Sequence, residues 1–367
     1  MTEQELSAYI QAIRPADEAA MEAARRRQAQ LAKPPGSLGQ LEEISIRLAG
    51  VTGQVCPAMG KCRVAVFAAD NGVVAEGVSC TPPAVTMQQA VNMTFRKTGM
   101  SAMAAAFGDD VSVVDVGIDG DVPPVGVLDR KVRRGTGDIA REDAMTRQQV
   151  LDAMAAGMEQ AARARADGVT ALGIGEMGIG NTTTSAAVLA ALTGADIEAV
   201  TGRGGGLTDE GFLRKKEVLR QALALHRPDG SDVIGVLAGV GGLDLAAMTG
   251  AFLGCAHERV PAAVDGFISI AAALCAVRLC PAVRDVLFLS HDSYEVGYRI
   301  AAETLGLQPC LRLGMRLGEG SGCPLLFRVL EGACGVMRGM ATFGEASIED
   351  SYLDEIRAMD AFTVEGA

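Results

Sequence analysis

After Lys61 the chain settles into one rhythm: short runs of β-branched and aliphatic residues, separated by segments long enough for a helix. The runs are Val64–Ala68, Val111–Val116, Val169–Ile174, Val260–Val264, Val286–Leu289 and Leu311–Leu317. Strand-length runs alternating with helical patterns specify βαβ units, and hence a mainly parallel sheet, because parallel neighbours need a long crossover. The runs are continuously apolar rather than alternating, so helices must cover both faces of that sheet. The fold class that fits both observations is α/β.

The two ends of the chain lack this rhythm. The first ~55 residues read as helices. Pro15 stands near a helix start, Asp17, Glu18 and Glu22 lead, and Arg25, Arg26 and Arg27 trail, which complements a helix dipole. Lys33-Pro34-Pro35-Gly36-Ser37 breaks the helix, and Ser37 is placed to cap the next, Leu38–Ala49. The acidic tail closes with a helical pattern over Ser351–Met359. These segments predict a small helical domain, residues 1–60 with 340–367, beside an α/β domain of residues 61–339.

The segment after each run is polar and glycine-rich. Val64–Ala68 leads into Ala69-Asp70-Asn71-Gly72, Val169–Ile174 into Gly175-Glu176-Met177-Gly178-Ile179-Gly180-Asn181, and Val260–Val264 into Asp265-Gly266. Val286–Leu289 leads into Ser290-His291-Asp292-Ser293, and Leu311–Leu317 into Gly318-Glu319-Gly320-Ser321-Gly322. In an open parallel sheet the carboxyl ends of the strands share one edge, where ligands bind. Loops far apart in sequence should therefore converge on one small-molecule crevice.

Gly173-Ile174-Gly175-Glu176-Met177-Gly178 matches G-x-G-x-x-G. One reading is a dinucleotide site, with Asp196 and Glu198 standing ~20 residues on as ribose contacts. Another is a cradle for a terminal phosphate monoester, with Asn181 as N-cap and the free N–H groups and hydroxyls of Thr182, Thr183 and Thr184 facing the anion. A tight turn with no ligand is the third. Gly202-Arg203-Gly204-Gly205-Gly206 is a second flexible loop, followed by Thr208 as a cap and Asp209 and Glu210 in a first helical turn. On that helix Phe212, Leu219, Ala222 and Leu223 form the apolar stripe and Lys215 emerges beside it, either snorkelling or serving an anion.

Glu319 stands out because nothing in a Gly-Glu-Gly loop demands a carboxylate for folding. Partly shut from water, it would serve as a general base; left in water, it is a solvated loop acid. Glu176 on a neighbouring loop makes a carboxylate pair, which also suits glycoside hydrolysis, though a phosphate cradle beside such a pair is unusual. Ser290 and His291 are sequence neighbours without a nucleophile-elbow context.

Composition removes other classes. Lys+Arg is 33 against Asp+Glu 45, a net charge of −12, which lacks the basic footprint for nucleic acid or an anionic membrane surface. Aromatics are 4% and Trp is absent, so no stacking platform for single strands is read. Nine scattered cysteines without a C-x-x-C pair, and only three histidines, give no zinc pattern and suit buried thiols in a reducing compartment. With no basic-then-apolar N-terminal segment and no long apolar run, the expectation is a cytoplasmic protein.

The same segments, taken in order, carry a family resemblance. Lys33-Pro34-Pro35-Gly36-Ser37-Leu38-Gly39, Ala69-Asp70-Asn71-Gly72-Val73, Glu76-Gly77-Val78-Ser79, Gly175-Glu176-Met177-Gly178-Ile179-Gly180-Asn181-Thr182-Thr183, Gly202-Arg203-Gly204, Val264-Asp265-Gly266-Phe267, Ser290-His291-Asp292-Ser293 and Arg316-Leu317-Gly318-Glu319-Gly320-Ser321-Gly322 span nearly the whole chain. They resemble the nicotinate-nucleotide–dimethylbenzimidazole phosphoribosyltransferases. The resemblance implies a Rossmann-like sheet with a small helical domain, a homodimer, no cofactor, and nicotinate mononucleotide and 5,6-dimethylbenzimidazole as substrates. By the same resemblance Glu319 takes the base N–H proton, and Glu176 and Lys215 are further polar site residues. Ser79, Gln88, Met177 and Leu317 would line the base pocket. The phosphate is expected on Gly178, Gly180, Asn181 and Thr182, assisted by Gly204, Gly205 and Ser293. Asn71 and Tyr298 stand where this family usually has His, which bears on base preference. The competing readings are a nucleotide-dependent oxidoreductase and a non-catalytic paralogue that binds the base or ribotide.

Overall fold

The computed structural model describes residues 1–123, 125–357 and 359. Six parallel strands form one sheet: β1 Cys62–Ala69, β2 Asp110–Gly117, β3 Val127–Asp129, β4 Ala171–Met177, β5 Ala262–Val264 and β6 Leu287–Leu289. Their order is β3-β2-β1-β4-β5-β6, so the chain winds one way from β1 and the other way from β4. This is the doubly wound, Rossmann-like arrangement, and its switch point lies between β1 and β4. The two strands pair from Cys62↔Ala171 to Ala68↔Met177, which brings the Asp70 and Gly178 loops side by side.

Both faces are covered. Val64 to Ala69 are wholly buried in sequence, the signature of a strand with helices on either side. On one face Gly173 sits against Cys323 and Phe327 of the helix Cys323–Gly339. On the other, Gly117 sits against Leu243 of the helix Leu243–Glu258. That helix packs on Arg147–Ala166 so closely that a Cβ at Gly157 would lie 1.8 Å from the Ala247 carbonyl.

Five of the six expected strands form. The segment Leu311–Leu317 does not: it makes one isolated bridge, Leu311 to His291, and runs beside the loop after β6. Arg312, Gly314 (φ +65) and Arg316 interrupt it, and Leu313 and Leu317 are 56% and 55% exposed, so it has no face to bury. The sixth strand is instead β3, at the opposite edge.

The N-terminal part forms the helices Glu3–Gln11, Glu18–Gln30 and Gln40–Thr52. Asp17, not Pro15, starts the second, accepting from the Ala20 N–H. Ser37 does not cap the third: Gly39 (φ +53) is its N-cap, and the Glu42 carboxylate reaches back to the Leu38 N–H and to Lys33. Ala20, Ala24, Leu31, Ile46, Ala49 and Met337 form a small second apolar cluster, and Leu31 bridges to Thr342. Ile44, Leu48 and Val51 of the third helix belong to the main core. Among the described residues the tail gives a 3₁₀ turn, Ser351–Leu353, and one helical turn, Asp354–Arg357. Residues 358 and 360–367 of the expected helical domain lie outside the described residues.

Candidate active site

A cavity of about 230 Å³ opens at the carboxyl ends of β1, β4, β5 and β6. Loops after all four strands line it, together with the Gly204-Gly205-Gly206 loop and the Leu317-Gly318-Glu319 segment. Expected residues Ser79, Glu176, Met177, Gly178, Gly180, Asn181, Thr182, Gly204, Gly205, Ser293, Leu317 and Glu319 all lie on its wall. Gln88 does not: it is exposed on the helix Val85–Thr94, and its neighbour Gln89 faces the cavity. Lys215 is wholly buried just behind the wall.

Glu319 is held in an unusual backbone. Gly318, Glu319 and Gly320 have φ of +78°, +64° and +83°, and a left-handed conformation is costly for a residue with a Cβ. Two buried carboxylates stabilise it. Asp265 accepts from the Gly320 and Gly322 N–H groups at 3.0 and 2.7 Å, and Glu176 Oε1 accepts from the Glu319 N–H at 3.2 Å. Gly318 has no Cβ because one there would stand 2.3 Å from Glu176 Oε1. The result aims the Glu319 side chain at the start of the helix Gly99–Phe107, where Oε2 accepts the Met100 N–H at 3.1 Å. Glu319 is 5% exposed. Burial pushes its carboxyl above the usual range, with the Met100 N–H and the Thr98 hydroxyl pulling the other way.

Behind Glu319 lies a polar network. Asn181 donates from Nδ2 to Glu176 Oε2, and to Asp244 Oδ2 at 3.0 Å. Burial pushes Glu176 up to about 8 and Asp244 up to about 6, and the Asn181 amide partly offsets both. Burial thus favours the protonated form of Glu176, which reduces the negative charge that Glu319 faces. Asn181 is the first residue of the helix Asn181–Thr193 rather than its cap; Gly180 (φ +94) takes that position.

Of the three threonines expected to face an anion, Thr182 reaches the cavity wall; Thr183 and Thr184 are wholly buried, the Thr183 N–H donates to the Gly180 carbonyl at 2.9 Å and the Thr184 hydroxyl to the Asn181 carbonyl at 3.1 Å. Lys215 Nζ donates to Thr182 Oγ1 at 2.9 Å and to the Gly202 carbonyl at 3.0 Å, tying the two glycine-rich loops together. Burial lowers Lys215 to about 8, with Glu295 supporting its charge. Thr208 caps the helix Asp209–His226, on which Val218, Leu219 and Ala222 are buried with Lys215, while Phe212 and Leu223 are half-buried.

The alternatives fare differently. Asp196 caps the short helix Ile197–Val200, and Glu198 pairs with Lys216 and Arg220, so neither faces the cavity as a ribose contact would. Ser290 is wholly buried against His291 Nδ1 and the Asp265 carbonyl, which leaves it no access to a substrate. Asn71 bridges the loops of β1 and β4, donating to the Ile179 carbonyl at 3.4 Å. Tyr298 is buried outside the lining, and its hydroxyl has no partner among the described residues. Among the described residues no cluster of three His, Cys, Asp or Glu side chains is placed to hold a metal ion.

A family model described as phosphoribosyltransferase matches residues 13–348. The chain belongs to this phosphoribosyltransferase family. Among named relatives, the nicotinate-nucleotide–dimethylbenzimidazole phosphoribosyltransferase of Clostridium perfringens is 46% identical over 341 residues, covering 93% of this chain and 94% of the relative. That of Geobacter metallireducens is 46% identical over 347 residues, covering 94% and 98%. The crystal structure of the Thermus thermophilus protein of the same name superposes with a TM-score of 0.86 at 44% identity, covering 91% of this chain and all of that one. Within this phosphoribosyltransferase the residues missed by sequence are Asp244, Asp265, Gln89 and the Met100 N–H. Asp265 was visible as a loop acid at a strand end; Asp244 carried no signal, since an acid in a first helical turn is ordinary.

Proposed function

We propose that the chain moves the 5-phosphoribosyl group of nicotinate mononucleotide to 5,6-dimethylbenzimidazole, giving α-ribazole 5′-phosphate and nicotinate for the lower nucleotide loop of cobalamin. The observation that carries this reading is Glu319, a buried carboxylate on the cavity wall whose backbone is gripped by Asp265 and Glu176. It stands in a chain 46% identical to relatives named for that reaction.

The phosphate monoester sits on the Gly178–Thr184 turn with Gly204, Gly205 and Ser293. The positive end of the helix Asn181–Thr193 suits an anion, and Lys215 adds charge through the Thr182 hydroxyl. The base stacks between Met177 and Leu317, with Ser79 and Gln89 as its polar wall. Glu319 takes the benzimidazole N–H proton. The ring nitrogen then attacks the anomeric carbon from the face opposite nicotinate. The old C–N bond breaks toward the pyridinium nitrogen, neutralising a good leaving group, and configuration inverts from β to α. Such a reaction asks mainly for positioning and a base.

The same reading carries a homodimer in the cytoplasm and a small helical unit, 1–60 with 340–367, beside the 61–339 domain. The nine free cysteines support the compartment and the second apolar cluster supports the helical unit. Mixing purified protein with both substrates and identifying products by mass tests the reaction. Nicotinate and α-ribazole 5′-phosphate are expected. Tight binding of either substrate with no nicotinate release would instead mark a binding protein. Light scattering on the same sample tests the dimer.

A further inference from the structure

Glu295 lies on the loop between β6 and the helix Gly297–Leu305, on the wall of the cavity. One of its carboxylate oxygens, Oε2, is buried and has no hydrogen-bond partner among the described residues. That oxygen stands hard against the backbone of Gly202, where an added Cβ would come within 1.7 Å of it. The carbonyl of the same Gly202 is held by Lys215, which also holds the Thr182 hydroxyl. Glu295 thus neighbours the turn assigned to the phosphate through Gly202 and Lys215.

Buried acceptors are almost always satisfied, and one left unpaired on a side chain of the cavity wall is complementary to a donor on the ligand once that side chain turns toward it. The substrates offer few donors. The pyridine carboxylate of the ribotide has no hydrogen to give at neutral pH. The single N–H of the acceptor base goes to Glu319. The two free ribose hydroxyls remain, and both lie a few bonds from the phosphate. We infer that Glu295 accepts a hydrogen bond from a ribose hydroxyl of the donor, and so selects ribose over deoxyribose. The inference rests on the phosphoribosyl-transfer reading above. A site built to hydrogen-bond a hydroxyl rejects an analogue lacking it, because the protein's own polar group is then stranded.

The test compares kcat/KM for nicotinate mononucleotide and its 2′-deoxy and 3′-deoxy analogues, with dimethylbenzimidazole as acceptor, in the parent and in E295A and E295Q. Intrinsic differences in lability between donors cancel when the ratios are compared between proteins. E295A should lower the preference for the ribotide over one analogue by ~10–100-fold, and that analogue names the hydroxyl. E295Q keeps a carbonyl acceptor and should lose less. An unchanged ratio in folded E295A overturns the assignment; if E295A does not fold, an unchanged ratio in folded E295L, which also lacks an acceptor, does so. Absence of product from the ribotide with the parent would remove the phosphoribosyl-transfer reading itself, whereas product with unchanged ratios removes the Glu295 assignment alone.

Discussion

Glu319 is a single side chain on which two kinds of constraint meet. Its backbone is left-handed and its carboxylate is buried, and neither would persist without the neighbours that hold it. Glu319→Gln leaves those backbone contacts intact and removes only the base, so the fold and substrate binding should survive while turnover falls ~10²–10⁴-fold. Retention of full activity near neutral pH would remove the role. The pH profile carries a second check. Because burial raises the Glu319 carboxyl and a base must be deprotonated, kcat/KM should climb along an acid limb centred above the ordinary carboxylate value, and that limb should vanish in the Gln variant. Leu317 belongs to the same scale. It stands beside Glu319 with Cδ2 toward Gly99, the apolar wall for a methyl-bearing base. Adenine would need a partner for its exocyclic amine, so the parent should prefer dimethylbenzimidazole. Leu317→Asn should narrow that preference by roughly fourfold to fifteenfold, the value of one or two buried methylene groups. Paired kcat/KM values decide; an unchanged ratio would place the base elsewhere.

At the scale of elements, the strand-then-glycine pattern was legible because a strand end fixes where a loop points, whatever the loop contains. That is why the turn after β4 could be placed on the edge; Glu319 reaches the same edge although the run before it, Leu311–Leu317, forms no strand and only lies beside the loop after β6. Helix phase was less legible. Moving a helix by one residue rotates a side chain by about 100°, which is the difference between Gln88, in solvent, and Gln89, on the wall. Asp244 was silent for another reason: its meaning comes from Asn181, sixty-three positions away in sequence, and only the fold brings them together. Strand β3 offers only Val127 and Leu128 as apolar residues, both half-buried, and so leaves no run to read. The phosphate turn carries its own prediction. If Gly178–Thr184 holds the monoester, nicotinate riboside should be a far poorer donor than the ribotide in the same mass-based assay. Equal use of the two would sink the placement.

The whole molecule carries the buried acids as a liability in alkali. Glu176 and Asp244 are raised to about 8 and about 6 from 4.5 and 3.8, so the folded protein keeps protons that the unfolded chain releases. Stability from this source is full below about pH 4 and is lost as pH rises through 6 and 8. The melting temperature should therefore decline between about pH 4 and pH 8, and Glu176→Gln should flatten the upper part of that decline. An identical slope in both proteins would show that Glu176 does not titrate there. The sheet at the centre of the molecule has a different kind of consequence. Its outermost strands, β3 and β6, are three-residue stubs, and Arg47 already occupies the Leu287 carbonyl on one of them. A long bare margin would invite foreign chains to zip on and seed fibrils. Here there is almost nothing to template from, so the protein should stay dispersed when crowded or concentrated, although its centre is built of strongly apolar strands.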